Sequence, residues 1–384
     1  MLTHIENKKY LAIAAGGSGG HILPAFTLAK NWMLENSSGE IIFFGSAKKI
    51  DKKVTEEFKI QFIKIDLNLI NFPGKKVWLY PKFCFQFLKT ILKSRKILKT
   101  YKPTKIISTG GYLSIPVCIA AKYLKTPIEA YELNVVPGRA TNFIAPFASK
   151  IFVVFEKCKE LLTIKNQKLE NKIFLAPYPI RFNENDKSFD KNEFITLINK
   201  RFQSKEDVLS TKAHLKLGCG NLEVDPFYPF DLKRKTLFVL GGSQGSSYLN
   251  DLFIKWLEKN KEIQNKIQII HQTGQGHDKL VASFYRSNEI PAIVFNYKDK
   301  LKDYFLLSDL VICRAGAGTI FELEFFNKKA LIIPLQTKQT DHQIFNAKEM
   351  VKKHPNLFII QQQTNMPMDD LVNIDENIKK LIQL

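Results

Sequence analysis

The sequence predicts an α/β protein of two doubly wound, Rossmann-like domains, and three observations carry the prediction. Apolar runs of strand length alternate with helical patterns from residue 10 to 180, and the alternation restarts at Thr236. Such alternation marks a parallel sheet with helices on both faces. In each half the first apolar run enters a glycine-rich turn that opens an amphipathic helix. Between the halves, residues 181–235 are charged and poorly periodic, as a linker with an insertion would be. The expected boundaries are 1–180 for the first domain, 181–235 for the linker, 236–361 for the second domain, and 362–384 for a last segment whose helix returns to the first domain.

The first half begins with Leu11-Ala-Ile-Ala-Ala15, the turn Gly16-Gly-Ser-Gly-Gly-His21, and a helix with Pro24 in its first turn. Strands follow at Ile41 to Phe44, Phe62 to Asp66, Lys105 to Ser108, Ile128 to Tyr131, Ile151 to Phe155 and Lys172 to Leu175, each a short apolar or β-branched run bounded by polar residues or glycine. The second half opens with Thr236-Leu-Phe-Val-Leu240, the turn Gly241-Gly-Ser-Gln-Gly245, and a helix from Ser246 to Trp256. Its further strands are Ile267 to Gln272, Ile293 to Asn296, Leu310 to Arg314 and Lys329 to Pro334.

Glycine at such turns permits positive φ and close approach of an anion to backbone amides, while the following helix adds unpaired N–H groups and the positive end of its dipole. Each turn is therefore a candidate diphosphate site, although a βα turn also uses glycine for packing alone. Neither is a dinucleotide fingerprint, because Ile22 stands where the third glycine is needed, and neither ends in the Gly-Lys-Ser/Thr of a Walker loop.

At 384 residues with 45% apolar content the chain can bury a large core. Its five scattered cysteines suggest neither a disulfide framework nor a zinc site. No apolar run reaches the length of a membrane-spanning helix, and no signal peptide is expected. The formal charge of +20 permits nucleic acid, an anionic membrane or a polyphosphate ligand as partner. No acid occurs between Asp66 and Glu129, where Lys89, Lys93 and further cations interleave with Trp78, Phe83 and Phe87. That segment reads as a surface for an anionic bilayer, with a solvated lysine face over core aromatics as the simpler alternative. No nucleic-acid module accompanies the charge, so no nucleic-acid partner is expected.

The remaining motifs fall at strand ends, where doubly wound sheets bind ligands. They are Ser108-Thr-Gly-Gly-Tyr112, Ala130-Tyr-Glu-Leu-Asn-Val-Val-Pro-Gly138, His271-Gln-Thr-Gly274, Cys313-Arg-Ala-Gly-Ala-Gly-Thr319, and His342-Gln343 with Asn346. Together, and in this order, they resemble the MurG family, transferases that move N-acetylglucosamine from UDP-N-acetylglucosamine (UDP-GlcNAc) to the undecaprenyl-diphosphate muramyl-pentapeptide lipid I, making lipid II. The resemblance spans residues 10 to 181 and 236 to 350. The chain departs from it where the family's His-Glu-Gln-Asn reads Tyr131-Glu-Leu-Asn134, where the family's Gly-Asn-Pro-Val-Arg reads Pro177-Tyr-Pro-Ile-Arg181, which keeps the arginine, and in the longer insertion after Arg181.

The resemblance implies the GT-B glycosyltransferase architecture, two Rossmann-like domains facing a cleft, the first binding acceptor and membrane and the second the UDP-sugar. The acceptor diphosphate would meet Gly16, Gly17, Ser18, Gly19, Gly20, Gly110, Gly111 and Tyr112. UDP-GlcNAc would meet Ser18, Gly19, Gly20, His21, Asn134, Arg181, Ser243, Lys298, Ala317, Thr319, Glu322, His342 and Gln343. Glu322 would accept ribose hydroxyls, and Arg181 would stabilise the charge on departing UDP. His21 is the first candidate for the base that activates the acceptor 4-hydroxyl, and Glu132 is its rival. The transfer would invert the anomeric centre with no metal and no cofactor. The protein would lie peripherally on the cytoplasmic face of the bacterial inner membrane, where other cell-wall synthesis proteins are possible partners. Another nucleotide-sugar transferase, a UDP-sugar epimerase, and a weakened membrane-bound homologue remain alternatives.

Overall fold

The computed structural model describes residues 8–16, 19–46, 62–69, 73–74, 76–209, 223–224, 228–242, 245–298, 301–336, 342–364 and 367–382. The chain divides into two compact units, Met1–Arg181 and Phe182–Leu384. Among the described residues no helix is long and apolar enough to cross a membrane.

The first unit contains strands β1 (Tyr10–Ala14), β2 (Glu40–Gly45), β3 (Phe62–Asp66), β4 (Lys105–Ser108), β5 (Ile128–Glu132), β6 (Lys150–Val153) and β7 (Ile173–Leu175), with helices α1 (Gly19–Glu35), α2 (Tyr80–Tyr101), α3 (Ser114–Tyr123), α4 (Arg139–Ile144) and α5 (Glu156–Lys165). The sheet order is β3-β2-β1-β4-β5-β6-β7, and all pairings are parallel. β1 is central and fully buried, so every position of its run is apolar. Strand order reverses between β1 and β4, which puts the turns after these two strands at the switch point where such sheets bind ligands. Pro24 lies inside α1 rather than in its first turn, because the helix already begins at Gly19.

α2 packs on α3 through a stripe of Thr90, Ser94 and Leu98, its buried residues. With small polar residues in that seam, the helix turns its large apolar side chains outward. Trp78 in the preceding turn is 70% exposed and Phe85 69%, and Leu88 and Leu92 are exposed as well. Phe83 and Phe87, expected on this surface, are instead half-buried and stack on each other at 5.7 Å.

The second unit contains β8 (Glu223–Val224), β9 (Lys235–Leu240), β10 (Ile267–Gln272), β11 (Ala292–Phe295), β12 (Leu310–Cys313), β13 (Ala330–Ile332) and β14 (Phe358–Ile360), with α6 (Lys191–Leu209), α7 (Ser247–Lys259), α8 (Asp278–Ser287), α9 (Lys302–Leu307), α10 (Ala317–Phe325), α11 (His342–Lys353) and α12 (Pro367–Leu381). The order is β14-β13-β12-β9-β10-β11-β8, parallel except for β8, which runs antiparallel at the edge.

Two expectations are corrected here. The segment read as a linker belongs to the second unit: Ile195 and Ile198 of α6 are buried, α6 packs on α9, and Asn199 exchanges two hydrogen bonds with the Phe230 backbone. The last helix does not join the first unit's core. Leu371, Ile374, Ile378, Leu381 and Ile382 are buried with Leu249, Phe253 and Trp256 of α7 in the second unit's core. Amphipathic periodicity gives a helix a buried face without saying which sheet receives it.

Candidate functional site

In the first unit, the turns after β1, β4 and β5 present the expected residues at the carboxyl end of the sheet. His21 stands in the first turn of α1. Its Nδ1 lies 2.8 Å from the Thr109 carbonyl oxygen, and the Thr109 hydroxyl donates to the His21 carbonyl at 2.7 Å. A carbonyl can only accept, so in the neutral ring the proton sits on Nδ1 and Nε2 carries the lone pair. That is the tautomer a general base needs.

Gly110 and Gly111 form the wall beside this ring, at φ 94° and 81°. A Cβ on Gly110 would stand 3.3 Å from His21 Cε1, and one on Gly111 only 2.6 Å from the Gly16 carbonyl oxygen. Gly111→Ala is expected to destabilise the first unit by about 2–3 kcal/mol, from the left-handed backbone and the displaced Gly16 strand end together. Calorimetry should read this as a fall in Tm of roughly 5–10 °C. Tyr112 donates its hydroxyl to the Leu69 carbonyl at 3.3 Å. Gly19 and Gly20 open α1, whereas Gly17 and Ser18 lie outside the described residues.

Glu132 ends β5 and is buried. Its Oε1 accepts from the amides of Leu133 at 3.0 Å and Asn134 at 3.1 Å and from Asn134 Nδ2 at 3.2 Å, and its Oε2 accepts from the Gly138 amide at 2.8 Å. The carboxylate is the hub of the Leu133–Gly138 loop, and Asn134 is fixed by it. Tyr131 stacks on Phe152 at 4.7 Å, and burial raises its hydroxyl pKa well above the ordinary value, so it stays neutral. Leu133 is buried. Arg181 closes the unit and is half-buried.

In the second unit the expected residues again stand at the carboxyl ends of strands. Gly242 and Gly245 have φ of 83° and 76°, and a Cβ on Gly245 would come within 2.4 Å of Gly274 Cα. The turns after β9 and β10 therefore pack backbone against backbone. Ser246 caps α7, accepting from the Leu249 amide at 3.3 Å; Ser243 lies outside the described residues. Ala317 and Thr319 are half-buried at the start of α10, and Glu322 is buried one turn further on. Lys298, after β11, donates to the Tyr304 hydroxyl at 2.7 Å. His342 and Gln343 open α11, and Gln343 Oε1 accepts from the Leu335 amide at 3.0 Å.

His271 shows why a motif residue need not touch a ligand. It is fully buried, between the Tyr285 hydroxyl at 2.7 Å and Asn250 Oδ1 at 3.0 Å, and burial holds its pKa at about 3. It is a neutral strut joining β10 to α7 and α8. Among the described residues no group of three or more His, Cys, Asp or Glu side chains could hold a metal ion.

Two Rossmann-like units, each with a glycine turn leading from a strand into a helix at the carboxyl end of its sheet, form the architecture of a two-domain nucleotide-sugar enzyme. Residues 11–153 match the glycosyltransferase family 28 N-terminal domain and residues 236–383 its C-terminal domain. A protein of Francisella tularensis subsp. tularensis (strain FSC 198), named UDP-N-acetylglucosamine--N-acetylmuramyl-(pentapeptide) pyrophosphoryl-undecaprenol N-acetylglucosamine transferase, is 30% identical over 394 residues, covering 96% of this chain and 88% of its own length. A Thermodesulfovibrio yellowstonii protein of the same name is 28% identical over 356 residues, covering 92% of this chain and 86% of its own. The chain belongs to this MurG family of glycosyltransferases.

The fold is that of the Acinetobacter baumannii MurG crystal structure, with a TM-score of 0.64 at 20% identity over 97% of this chain and 91% of that one. UDP-GlcNAc 2-epimerase of Neisseria meningitidis shares it with a TM-score of 0.56 at 10% identity, over 97% of this chain and 91% of that one.

Proposed function

We propose that the chain transfers N-acetylglucosamine from UDP-GlcNAc to the 4-hydroxyl of lipid I, with inversion and without a metal, and so makes lipid II. The observation that carries this reading beyond the family is the reciprocal hydrogen-bonded clamp between His21 and Thr109, which orients a lone-pair nitrogen beside the glycine turns of the first unit. Nε2 takes the acceptor hydroxyl proton as that oxygen attacks the anomeric carbon. The bond to UDP breaks on the opposite face, and its electron pair stays on the diphosphate. Arg181, Ser243, the Gly241–Gly245 amides and the start of α7 stabilise that charge, while Glu322 receives the ribose and His342 and Gln343 the sugar. Lys298, Ala317 and Thr319 complete the donor side. Gly16 to Gly20 with Gly110, Gly111 and Tyr112 hold the acceptor diphosphate. The test is transfer of radiolabelled N-acetylglucosamine from UDP to a lipid I analogue with and without chelator. Chelator-resistant product is expected; product that vanishes with chelator removes the metal-free mechanism, and absence of product removes the acceptor assignment.

The same reading places the protein on the cytoplasmic face of the inner membrane through α2 and the turn before it. Trp78, Phe85, Leu88 and Leu92 supply apolar contact, and Lys89 and other exposed cations of that helix supply attraction to anionic lipid. Lys93 is directed elsewhere, donating to the Asp66 carbonyl at 2.7 Å. Replacing Trp78, Phe85 and Leu88 by serine is expected to weaken sedimentation with anionic vesicles by tenfold or more, from roughly 1.5–3 kcal/mol for each fully inserted side chain. Replacing Phe83 and Phe87 instead should leave binding close to that of the unaltered chain; the reverse ranking would overturn the assignment of this face.

A further inference from the structure

Behind the second unit's glycine turn lies a polar network that the proposed chemistry does not use. Arg314, at the end of β12 and buried, donates through Nε and Nη2 to Ser246 Oγ at 3.2 and 3.0 Å. Its Nη1 donates to the carbonyls of Ile333 and Pro334 at 3.1 and 3.4 Å. Gln363 Oε1 lies 3.4 and 3.5 Å from its two terminal nitrogens. The guanidinium also stands over the Tyr248 ring, 5.2 Å from its centre. One side chain thus joins the turn after β9 to the turn after β13.

Tyr248 carries the connection onward. Its hydroxyl donates to Asp370 Oδ2 at 2.6 Å, and Asp370, buried in α12, also accepts from the Thr364 amide at 3.0 and 3.3 Å. Burial and the carboxylate together hold the Tyr248 hydroxyl protonated, so it remains a donor. Burial also disfavours the charged form of Arg314, and the Tyr248 ring beside the guanidinium offsets part of that penalty.

We infer that Asp370, acting through Tyr248 and Arg314, is a positioning residue that fixes Ser246, at the end of the glycine turn and the cap of α7, for the donor diphosphate, so that α12 sets donor affinity without touching the donor. The inference rests on the reading of that turn as the UDP site. Removing the carboxylate frees the Tyr248 hydroxyl, and the ring is no longer held under the guanidinium that grips Ser246. A hydrogen bond between the same two helices provides the control: Trp256 Nε1 donates to Asp375 Oδ1 at 3.1 Å, away from the turn.

The experiment is titration calorimetry with UDP on the full chain and on Asp370→Ala, Asp375→Ala and Tyr248→Phe, with Tm recorded for each. Asp370→Ala and Tyr248→Phe, which remove the same Tyr248–Asp370 hydrogen bond, are each expected to raise the Kd for UDP about tenfold, the scale of one lost hydrogen bond to a charged group. Asp375→Ala should lower Tm comparably and leave the Kd unchanged. In the transfer assay the Asp370 effect should fall on the KM for UDP-GlcNAc far more than on kcat. Equal Kd values in the two aspartate variants, or an unchanged Kd in both Asp370→Ala and Tyr248→Phe, would overturn the inference while leaving the UDP site in place. Absence of UDP binding by the unaltered chain would overturn the site and the inference with it.

Discussion

His21→Ala is expected to lower kcat by about a hundred- to ten-thousandfold, the usual contribution of a positioned general base, while UDP affinity and Tm stay near those of the unaltered chain. The ring is only half-buried, so its removal opens little cavity. The Thr109 hydroxyl keeps its bond to the position 21 carbonyl whatever the side chain, so the start of α1 remains fastened to the turn after β4. His21→Asn sharpens the test. Its amide can still donate toward the Thr109 carbonyl, but it offers no basic nitrogen, so it should be as inactive as alanine. A His21→Asn enzyme that retained turnover would mean that the ring orients the acceptor and another group takes the proton.

Glu132→Gln should behave in the opposite way, with stability failing first and activity following it. Three N–H groups converge on one carboxylate oxygen and the Gly138 amide on the other. Glutamine presents one acceptor and one NH2, so a donor must face a donor inside a buried loop. A loss of about 2–4 kcal/mol is expected, read by calorimetry as a fall in Tm of roughly 5–12 °C for a unit of this size. Activity measured well below the new Tm should recover in proportion to the folded fraction. If Glu132→Gln instead melted with the unaltered chain and still had no transfer activity, Glu132 would be the base and His21 its support.

The first sheet was legible strand by strand because its interior strands β1, β2 and β4 are apolar runs buried along nearly their whole length and the others are short runs bounded by polar residues or glycine. Two edge strands of the second sheet were not. β8 is two residues long, too short for any period, and β14 is three residues long and only partly buried. α6 carries its buried face on Ile195 and Ile198 amid charged neighbours, which is why its segment reads as linker. At the site, residue types at strand ends could be read from sequence, but the partners that give them a role could not. Thr109 lies 88 positions from the His21 it orients, and Tyr248 and Asp370 stand outside every glycine motif. Separation along the chain hides such pairs, since nothing in either local pattern names the other member.

The position of α12 has a consequence for how the second unit comes together. Tyr248 meets Asp370 across 122 positions and Trp256 meets Asp375 across 119, so the cover of α7 is among the most non-local contacts of that unit. Such contacts repay their loop-closure entropy late. α12 is therefore expected to dock after the local βα units have formed, completing the cover of Leu249, Phe253 and Trp256 with Leu371, Ile374 and Ile378. Trp256, almost fully buried when the helix is seated, is a built-in fluorescent reporter of that step.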